Sequence, residues 1–139
     1  MDTASVQDTL EIHEQLARYA RGVDTKDWEL WKSVFVPTAV VDYTSAGGPV
    51  GSPEEVATWL EQGLRSVPMT QHLISNIEVE LNEGEARVRA MFYNPMQLPG
   101  MAEMSFCGGY YHHDFVRTQE GWKSQRLVEE NVWFVNRPG

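Results

Sequence analysis

The chain has 139 residues and a formal net charge of −9, and 42% of its residues are hydrophobic. This length predicts one domain, residues 1–139, with a single sizeable core. The acidic balance argues against nucleic acid or an anionic membrane as a partner, and no apolar run reaches the length of a membrane span. The single cysteine excludes an internal disulfide. Together with a polar start that does not resemble a secretory signal, it predicts a cytoplasmic protein.

Two helices are predicted at the start of the chain. The first, Ser5 to Arg21, has apolar residues three and four positions apart and is expected to end at Gly22. Asp24 would then lie just after this helix. The second, Trp28 to Phe35, has Asp27 as its expected N-cap and Pro37 as its expected stop.

The next two elements are a strand and a third helix. Val40 to Thr44 predicts a short strand, which a Gly- and Pro-rich turn closes. Ser52-Pro53-Glu54-Glu55 places Ser at the N-cap, Pro at the first helical position and Glu at the third. This combination predicts a helix start.

The second half of the chain predicts four long strands. After Pro68 the hydrophobic period changes from 3.6 to 2, with Asn82 to Glu85 as a hairpin turn. A loop is expected from Asn94 to Met101, followed by strands from Ser105 to Arg117 and from Trp122 to Phe134. Three helices before a four-stranded meander predict the α+β class, with helices packed on a curved antiparallel sheet.

An ordered set of residues along nearly the whole chain resembles a known family. The matching residues are Tyr19, Val23-Asp24, Trp28, Phe35, Asp42-Tyr43, Gly51, Pro53-Glu54-Glu55, His72, Asn76, Gly109-Tyr110-Tyr111, Arg117-Thr118 and Gly121-Trp122-Lys123. The set resembles the SnoaL-like group of the nuclear transport factor 2-like superfamily, which includes scytalone dehydratase, bile-acid dehydratase and hexachlorocyclohexane dehydrochlorinase. The resemblance implies a cone-shaped fold in which a strongly curved antiparallel sheet wraps around the N-terminal helices.

The resemblance also implies a catalytic site. His72 would be the base, Asp24 would orient it, and Tyr19 and Tyr43 would donate hydrogen bonds to a substrate carbonyl or a catalytic water. A carboxylate that binds one ring nitrogen of histidine fixes the tautomer and stabilises the imidazolium. Such a pair can remove a proton next to a carbonyl or a leaving group. Asn131 stands near the position where bile-acid dehydratase has an arginine.

Further residues are candidates to line the substrate pocket. They are Trp28, Phe92, Asn131 and Trp133. Cys107 lacks the basic surroundings of a nucleophile and reads as a small core residue. His112 and His113 are neighbours on a strand, so they point to opposite faces and cannot both ligate one metal ion. We expect one of them to be exposed and the other to lie at an interface. No metal site and no cofactor are expected.

Three functions remain open at this point. The first is a cofactor-independent dehydratase-type lyase or isomerase that acts on a small hydrophobic cyclic molecule, such as a polyketide, a steroid or an aromatic precursor. The second is a non-catalytic ligand-binding or assembly module, since a fold does not determine a function. The third is polyketide-cyclase chemistry that depends on Asp24 alone. The number of aromatic residues on the predicted sheet also favours a homo-oligomer, a dimer or trimer, formed through the sheet face.

Overall fold

A computed structural model describes residues 2–138, and its strands form one sheet. The order of strands is β2-β1-β7-β6-β5-β3, and β4 also pairs with β5. The β1–β7 pair is parallel and all other pairs are antiparallel. The predicted α+β class and the cone made by a strongly curved sheet are confirmed. In chain order the elements are α1 (Thr3–Asp24), α2 (Trp28–Lys32), β1 (Phe35–Asp42), a 3-10 turn (Thr44–Ala46), β2 (Val50–Gly51), α3 (Pro53–Leu64), β3 (Met69–Thr70), β4 (Leu73–Asn82), β5 (Glu85–Gln97), β6 (Ser105–Thr118) and β7 (Gly121–Val135).

Helix α1 is longer than the sequence predicts at both ends. Its N-cap is Asp2, whose carboxylate accepts a hydrogen bond from the backbone N–H of Ser5 at 2.8 Å. Gly22 does not end the helix. A Cβ at Gly22 would lie 2.8 Å from the backbone nitrogen of Trp31, so this glycine allows α1 and α2 to pack closely. The helix continues to Asp24, which is therefore its last residue.

Helix α2 is shorter than predicted, and Pro37 does not end it. The predicted cap is present, because the Asp27 carboxylate accepts from the N–H of Leu30 at 3.0 Å. The helix ends at Lys32, and Phe35 already belongs to β1. The pairing of β1 with β7 is irregular between Phe35 and Val40. This irregularity accommodates Pro37, which has no N–H to donate to a neighbouring strand.

The start of α3 agrees with the sequence prediction. The Ser52 hydroxyl accepts from the N–H of Glu55 at 3.1 Å, and the Glu55 carboxylate accepts from the N–H of Ser52 at 3.0 Å. This reciprocal pair is the predicted capping box. It fixes α3 so that Val56, Ala57 and Leu60 are buried in the core.

The four long strands are present, but the loop predicted from Asn94 to Met101 begins four residues later, at residue 98. Strand β5 continues to Gln97, because Pro95 and Met96 are still in register with Phe106 and Ser105 of β6. Asn94 and Met96 are consequently held on the inner face of the sheet, where both are buried. The irregular segment between β5 and β6 is residues 98–104.

The outer face of the sheet carries exposed apolar side chains. Trp133 and Tyr93 contact each other there, with ring centroids 5.9 Å apart, and each is about two-fifths exposed. Exposed apolar surface of this kind is compatible with the predicted homo-oligomer, which stays a prediction. Within residues 2–138, no helix combines the length and hydrophobicity that a membrane-spanning segment requires.

Candidate functional site

The ends of two elements bring Asp24 and His72 into contact. Asp24 is the last residue of α1, and His72 lies between β3 and β4. The Asp24 carboxylate is 2.7 Å from Nδ1 of His72 and also accepts from the backbone N–H of His72 at 2.8 Å. A third bond comes from the Thr70 hydroxyl at 2.9 Å. The side chain of His72 is only 9% exposed and that of Asp24 20% exposed, so water competes little for these bonds.

This pattern of bonds indicates the charge of Asp24 and the tautomer of His72. Burial by itself raises the pKa of Asp24, but the bonds from the ring and backbone of His72 and from Thr70 outweigh it, and the net pKa is lowered. Asp24 is therefore ionised at neutral pH and acts only as an acceptor. The Nδ1 atom of His72 must carry a proton to bind it. In the neutral ring the other nitrogen, Nε2, then has a free lone pair.

His72 forms part of the wall of an internal cavity of about 250 Å³. Its neighbour on that wall is Phe92, with ring centroids 6.4 Å apart, and Phe92 stacks on Tyr111 at 4.6 Å. Most of the lining is apolar or aromatic. The complete lining consists of Val23, Tyr43, Ala46, Trp59, Leu60, Leu64, Thr70, His72, Phe92, Asn94, Met96, Leu98, Cys107, Tyr111, Glu129, Asn131 and Phe134.

Asp24 does not line this cavity. It borders a separate groove between α1 and β4, where His72 is also found. The imidazole ring therefore stands between the carboxylate and the cavity. A molecule inside the cavity would contact His72 and would not contact Asp24.

Three other predicted site residues line the cavity. They are Tyr43, Phe92 and Asn131. Tyr43 lies directly after β1 and packs on Trp59 of α3, with ring centroids 5.8 Å apart. Asn131 comes from β7, and Phe92 from the middle of β5.

The structure places two of the predicted site residues, Tyr19 and Trp28, outside the lining of this cavity. Tyr19 is completely buried in the core below the cavity lining, and its hydroxyl has no hydrogen-bond partner within residues 2–138. Burial raises its pKa. Tyr111, whose ring contacts Tyr19 edge-on at 4.9 Å, is the tyrosine of this cluster that lines the cavity. Trp28 begins α2 and packs against the core from outside it.

Trp133 also lies outside the lining of this cavity, and the cause is a bulge in β7. Gly108 of β6 is in register with Trp133, whereas the next residue, Gly109, is in register with Asn131. Val132 is therefore an extra residue without a partner, and it reverses the alternation of side chains. Phe134 consequently faces the cavity, and Trp133 lies on the outer face.

Two adjacent glycines make this bulge possible. A Cβ at Gly109 would lie 1.9 Å from the carbonyl oxygen of Glu130, and a Cβ at Gly108 would lie 2.5 Å from the ring of Trp133. No side chain fits at either position without moving its neighbour. The glycines thus maintain the orientation of the end of β7.

Glu129 is the cavity residue that the sequence reasoning missed. It lies on β7 and is 5% exposed, the only carboxylate among the buried residues of the described chain. Burial raises its pKa, although hydrogen bonds with Ser45 and Asn131 and attraction to His72 oppose the shift. The signal was present in the alternation of β7, since Glu129 has the same phase as Leu127 and Asn131. A charged residue in that phase falls on the inner face.

The expectation for the histidine pair on β6 is half correct. His112 is on the outer face beside Glu130, at 2.8 Å. His113 lies not at an interface but inside the core, where Nδ1 is 2.8 Å from the Ser124 hydroxyl. Burial lowers the pKa of His113 to about 3, so the ring is neutral. Among residues 2–138, no three His, Cys, Asp or Glu side chains are grouped as a metal ion requires.

Comparison with known proteins gives related sequences and a shared fold. The chain is 35% identical to an uncharacterized protein of Mycobacterium tuberculosis over 130 residues, which are 93% of this chain and 88% of that one. A candidate scytalone dehydratase from Novosphingobium aromaticivorans superposes with a TM-score of 0.89 at 20% identity, covering 100% of this chain and 93% of that one. A hexachlorocyclohexane dehydrochlorinase from Novosphingobium barchaimii superposes with a TM-score of 0.78 at 16% identity, covering 95% and 89%.

These two structures share the fold of this chain. The sequence itself also matches a family model, that of the SnoaL-like domain, over residues 4–128. The match includes both Asp24 and His72, and it extends from the first helix to the middle of the last strand. The chain therefore belongs to the SnoaL-like domain family.

Proposed function

We propose that this protein is a cofactor-independent lyase or isomerase in which His72 removes a proton next to a carbonyl or a leaving group. The observation that carries the proposal is the contact of 2.7 Å between Asp24 and Nδ1 of His72 at the wall of an apolar cavity. A base oriented in this way, beside a mostly apolar lining, is suited to proton abstraction from carbon.

Each member of the site has a distinct task in this mechanism. Nε2 of His72 accepts the substrate proton, and the ionised carboxylate of Asp24 stabilises the imidazolium that forms. Tyr43 lines the same cavity and can donate its hydroxyl to the substrate carbonyl without adding a charge. Phe92 and Tyr111 provide flat apolar surfaces for a ring.

The lining of the cavity supports a small hydrophobic cyclic substrate, because most of the surface that a ligand would contact is aromatic or aliphatic. The names of two structural neighbours agree with this chemistry. A dehydratase eliminates water, and a dehydrochlorinase eliminates hydrogen chloride. Polyketides, steroids and aromatic precursors are the classes that we propose to screen.

The geometry disfavours cyclase chemistry that depends on Asp24 alone. Asp24 has accepted three hydrogen bonds and does not line the cavity, so His72 is the group that can meet a substrate there. A non-catalytic binding module has no need for an ionised carboxylate behind a buried histidine. The activity screen described next distinguishes such a binding module from an enzyme.

The test is a screen of hydroxylated cyclic ketones for loss of water, followed by the variants His72→Ala and His72→Gln. We expect each variant to lower kcat by about 10³-fold or more, because general base catalysis is lost. His112→Ala is the matched control, since His112 is on the outer face of the sheet and should leave kcat unchanged. Circular dichroism checks that each variant is folded. Full activity in a folded His72→Ala protein would contradict the assignment of the base.

A further inference from the structure

Glu129 is bound to Ser45 in a small network at the cavity wall. Ser45 lies in the 3-10 turn after β1, and its hydroxyl contacts the Glu129 carboxyl oxygen Oε1. The same hydroxyl is 2.7 Å from the backbone carbonyl oxygen of Glu129. It also accepts from the backbone N–H of Asn131 at 2.9 Å. One hydroxyl therefore has three partners.

The number of protons in this network indicates the protonation state of Glu129. The hydroxyl of Ser45 has a single proton, and the backbone carbonyl of Glu129 can only accept. If Glu129 is ionised, Oε1 is also only an acceptor, and the two oxygen atoms must share the single proton of the hydroxyl. If Glu129 is protonated, Oε1–H donates to the hydroxyl, and the hydroxyl donates to the carbonyl. The neutral acid gives each of the three contacts a proton of its own, so this arrangement favours it.

The surroundings of Glu129 agree with a neutral acid. The side chains that face it with a charge or a titratable group are His72, which attracts its negative charge, and Asp42, which repels it. Cys107, Tyr19 and Tyr111 are buried, and burial raises the pKa of each, so these groups are neutral as well. No arginine or lysine lines the cavity. A carboxylate here would lack the partner that a buried charge requires.

The position of Glu129 complements that of His72. Strands β5 and β6 lie between β7, which carries Glu129, and the β3–β4 junction, which carries His72. The two residues therefore approach the cavity from different sides of the curved sheet. The wall of the same cavity also contains Asn94, whose buried amide oxygen has no hydrogen-bond partner within residues 2–138. This oxygen is available to accept from a hydroxyl group of a ligand.

We propose that Glu129 is a second catalytic residue, a neutral carboxylic acid that donates its proton to the oxygen atom of the leaving group. This inference rests on the function proposed above. It also narrows the substrate class to hydroxylated compounds that lose water. Hydroxide is a poor leaving group and needs a proton, whereas a halide leaves as a stable anion and has no need of an acid.

The step balances without any further reagent. His72 Nε2 takes the proton from carbon, and the electrons of that C–H bond form the carbon–carbon double bond. The C–O bond breaks, and the leaving oxygen takes the proton of Glu129, so that water is released. The site then holds an imidazolium and a carboxylate. Transfer of the proton from His72 to Glu129 through water restores both groups, and the net reaction is the loss of one water molecule.

Infrared spectroscopy tests the protonation state without a substrate. We expect the C=O stretch of a protonated carboxylic acid at neutral pH in the wild type, and its loss in Glu129→Gln. The matched control is Glu130→Gln, the same substitution one residue further on the exposed face of the strand, which should retain the band. A wild-type protein without this band at neutral pH would overturn the proposal, whatever its activity.

Kinetics with two probes then test the role. The probes are 3-hydroxycyclohexanone, which loses water, and 3-acetoxycyclohexanone, which loses acetate and needs no acid. Glu129→Gln should lower kcat by about 10²-fold for the hydroxy compound and much less for the acetoxy compound. An equal loss with both probes would overturn the acid role while the function proposed above stands. Retention of both activities in His72→Ala would instead overturn the proposed function, and the infrared result would still report on Glu129.

Discussion

The two carboxylates of the site have opposite electrostatic settings, although both are largely withdrawn from water. Asp24 receives three hydrogen bonds from donors of residues 70 and 72, and its pKa is lowered. Glu129 has the side chains of Ser45 and Asn131 as hydrogen-bond partners, but burial outweighs them and raises its pKa. The balance between burial and hydrogen-bond donors thus decides which acid is ionised. Burial alone acts in the same direction on both.

The difference assigns chemical roles from local structure. A carboxylate with several donors is a stable anion and can orient a base, whereas a carboxyl group with too few donors keeps its proton and can act as an acid. Titratable groups with pKa values pushed apart are characteristic of acid–base sites. In this chain Thr70 and His72 at the β3–β4 junction provide the donors to Asp24. Glu129 on β7 has fewer donors around it.

The largest expected effect comes from removing the charge of Asp24. Asparagine has a single acceptor oxygen in place of two, so it cannot accept from Thr70, the His72 ring and the His72 backbone together. The ring is then free to adopt the wrong tautomer, and we expect Asp24→Asn to lower kcat by about 10⁴-fold. Nitrogen NMR of the ring should show the change of tautomer.

Asp27→Asn is the control for this substitution, because asparagine caps a helix as well as aspartate does. Its kcat should equal that of the wild type. A normal kcat in Asp24→Asn would contradict the proposal that the Asp24 carboxylate orients His72. The two carboxylates would then no longer have distinct roles.

A substitution at Gly109 tests the role of Glu129, because Gly109 is part of the bulge that orients this part of β7. The added Cβ of Gly109→Ala collides with the carbonyl oxygen of Glu130, and backbone atoms cannot rotate away as a flexible side chain can. We expect unfolding in urea to show a loss of about 3 kcal/mol. Turnover of 3-hydroxycyclohexanone should fall as in Glu129→Gln, because the bulge that orients β7 is disturbed.

The matched control is Gly63→Ala in α3, where an added Cβ meets no atom within 4 Å. Alanine is the better helix former, so this variant should gain a few tenths of a kcal/mol. Equal effects at the two glycines would show that the close approach in β6 and β7 has no energetic consequence.

The smallest expected effect is a pH-dependent difference in stability between the wild type and Glu129→Gln. The fold favours the neutral form of Glu129, so its contribution is present below the unfolded pKa near 4.5 and is lost as the pH rises through the raised pKa of the folded state. Each unit of difference corresponds to about 1.4 kcal/mol.

Glu129→Gln should therefore gain stability relative to the wild type as the pH rises, and then reach a plateau. We expect the opposite trend for Asp24→Asn. The lowered pKa of Asp24 gives the wild type a stability that is lost as the pH falls. Urea unfolding between about pH 4 and pH 8 measures both trends. A difference for Glu129→Gln that does not change with pH would contradict the raised pKa.

The sequence predicted the fold class because its main signals are local. The capping box at Ser52, the period of two after Pro68 and the hairpin turn at residues 82–85 each act within a few residues. The limits of α2 and β1 were wrong for the opposite reason. Phe35 and Val34 join the sheet through β7, and the bond of 2.8 Å from Ser124 N–H to the Val34 carbonyl spans ninety positions of sequence.

The sequence predicted some residues of the candidate site and missed others. The resemblance singled out Asp24 and His72, and the structure places them in contact. Trp133 was misplaced because a bulge at Val132 changes the phase of a strand without changing its hydrophobic pattern. Glu129 was missed because a single acidic residue in a strand resembles an exposed one until the inner face is known.

The extra residue at Val132 has a consequence for engineering the active-site volume. Without it, regular alternation would turn Trp133 inward after Glu129 and Asn131, and the bulkiest side chain of β7 would occupy the place that Phe134 now has. The number of residues in β7 thus determines which side chain faces the cavity, and therefore the size of the ligand that fits. Single-residue insertions and deletions at this point are a coarser control of substrate size than any side-chain replacement.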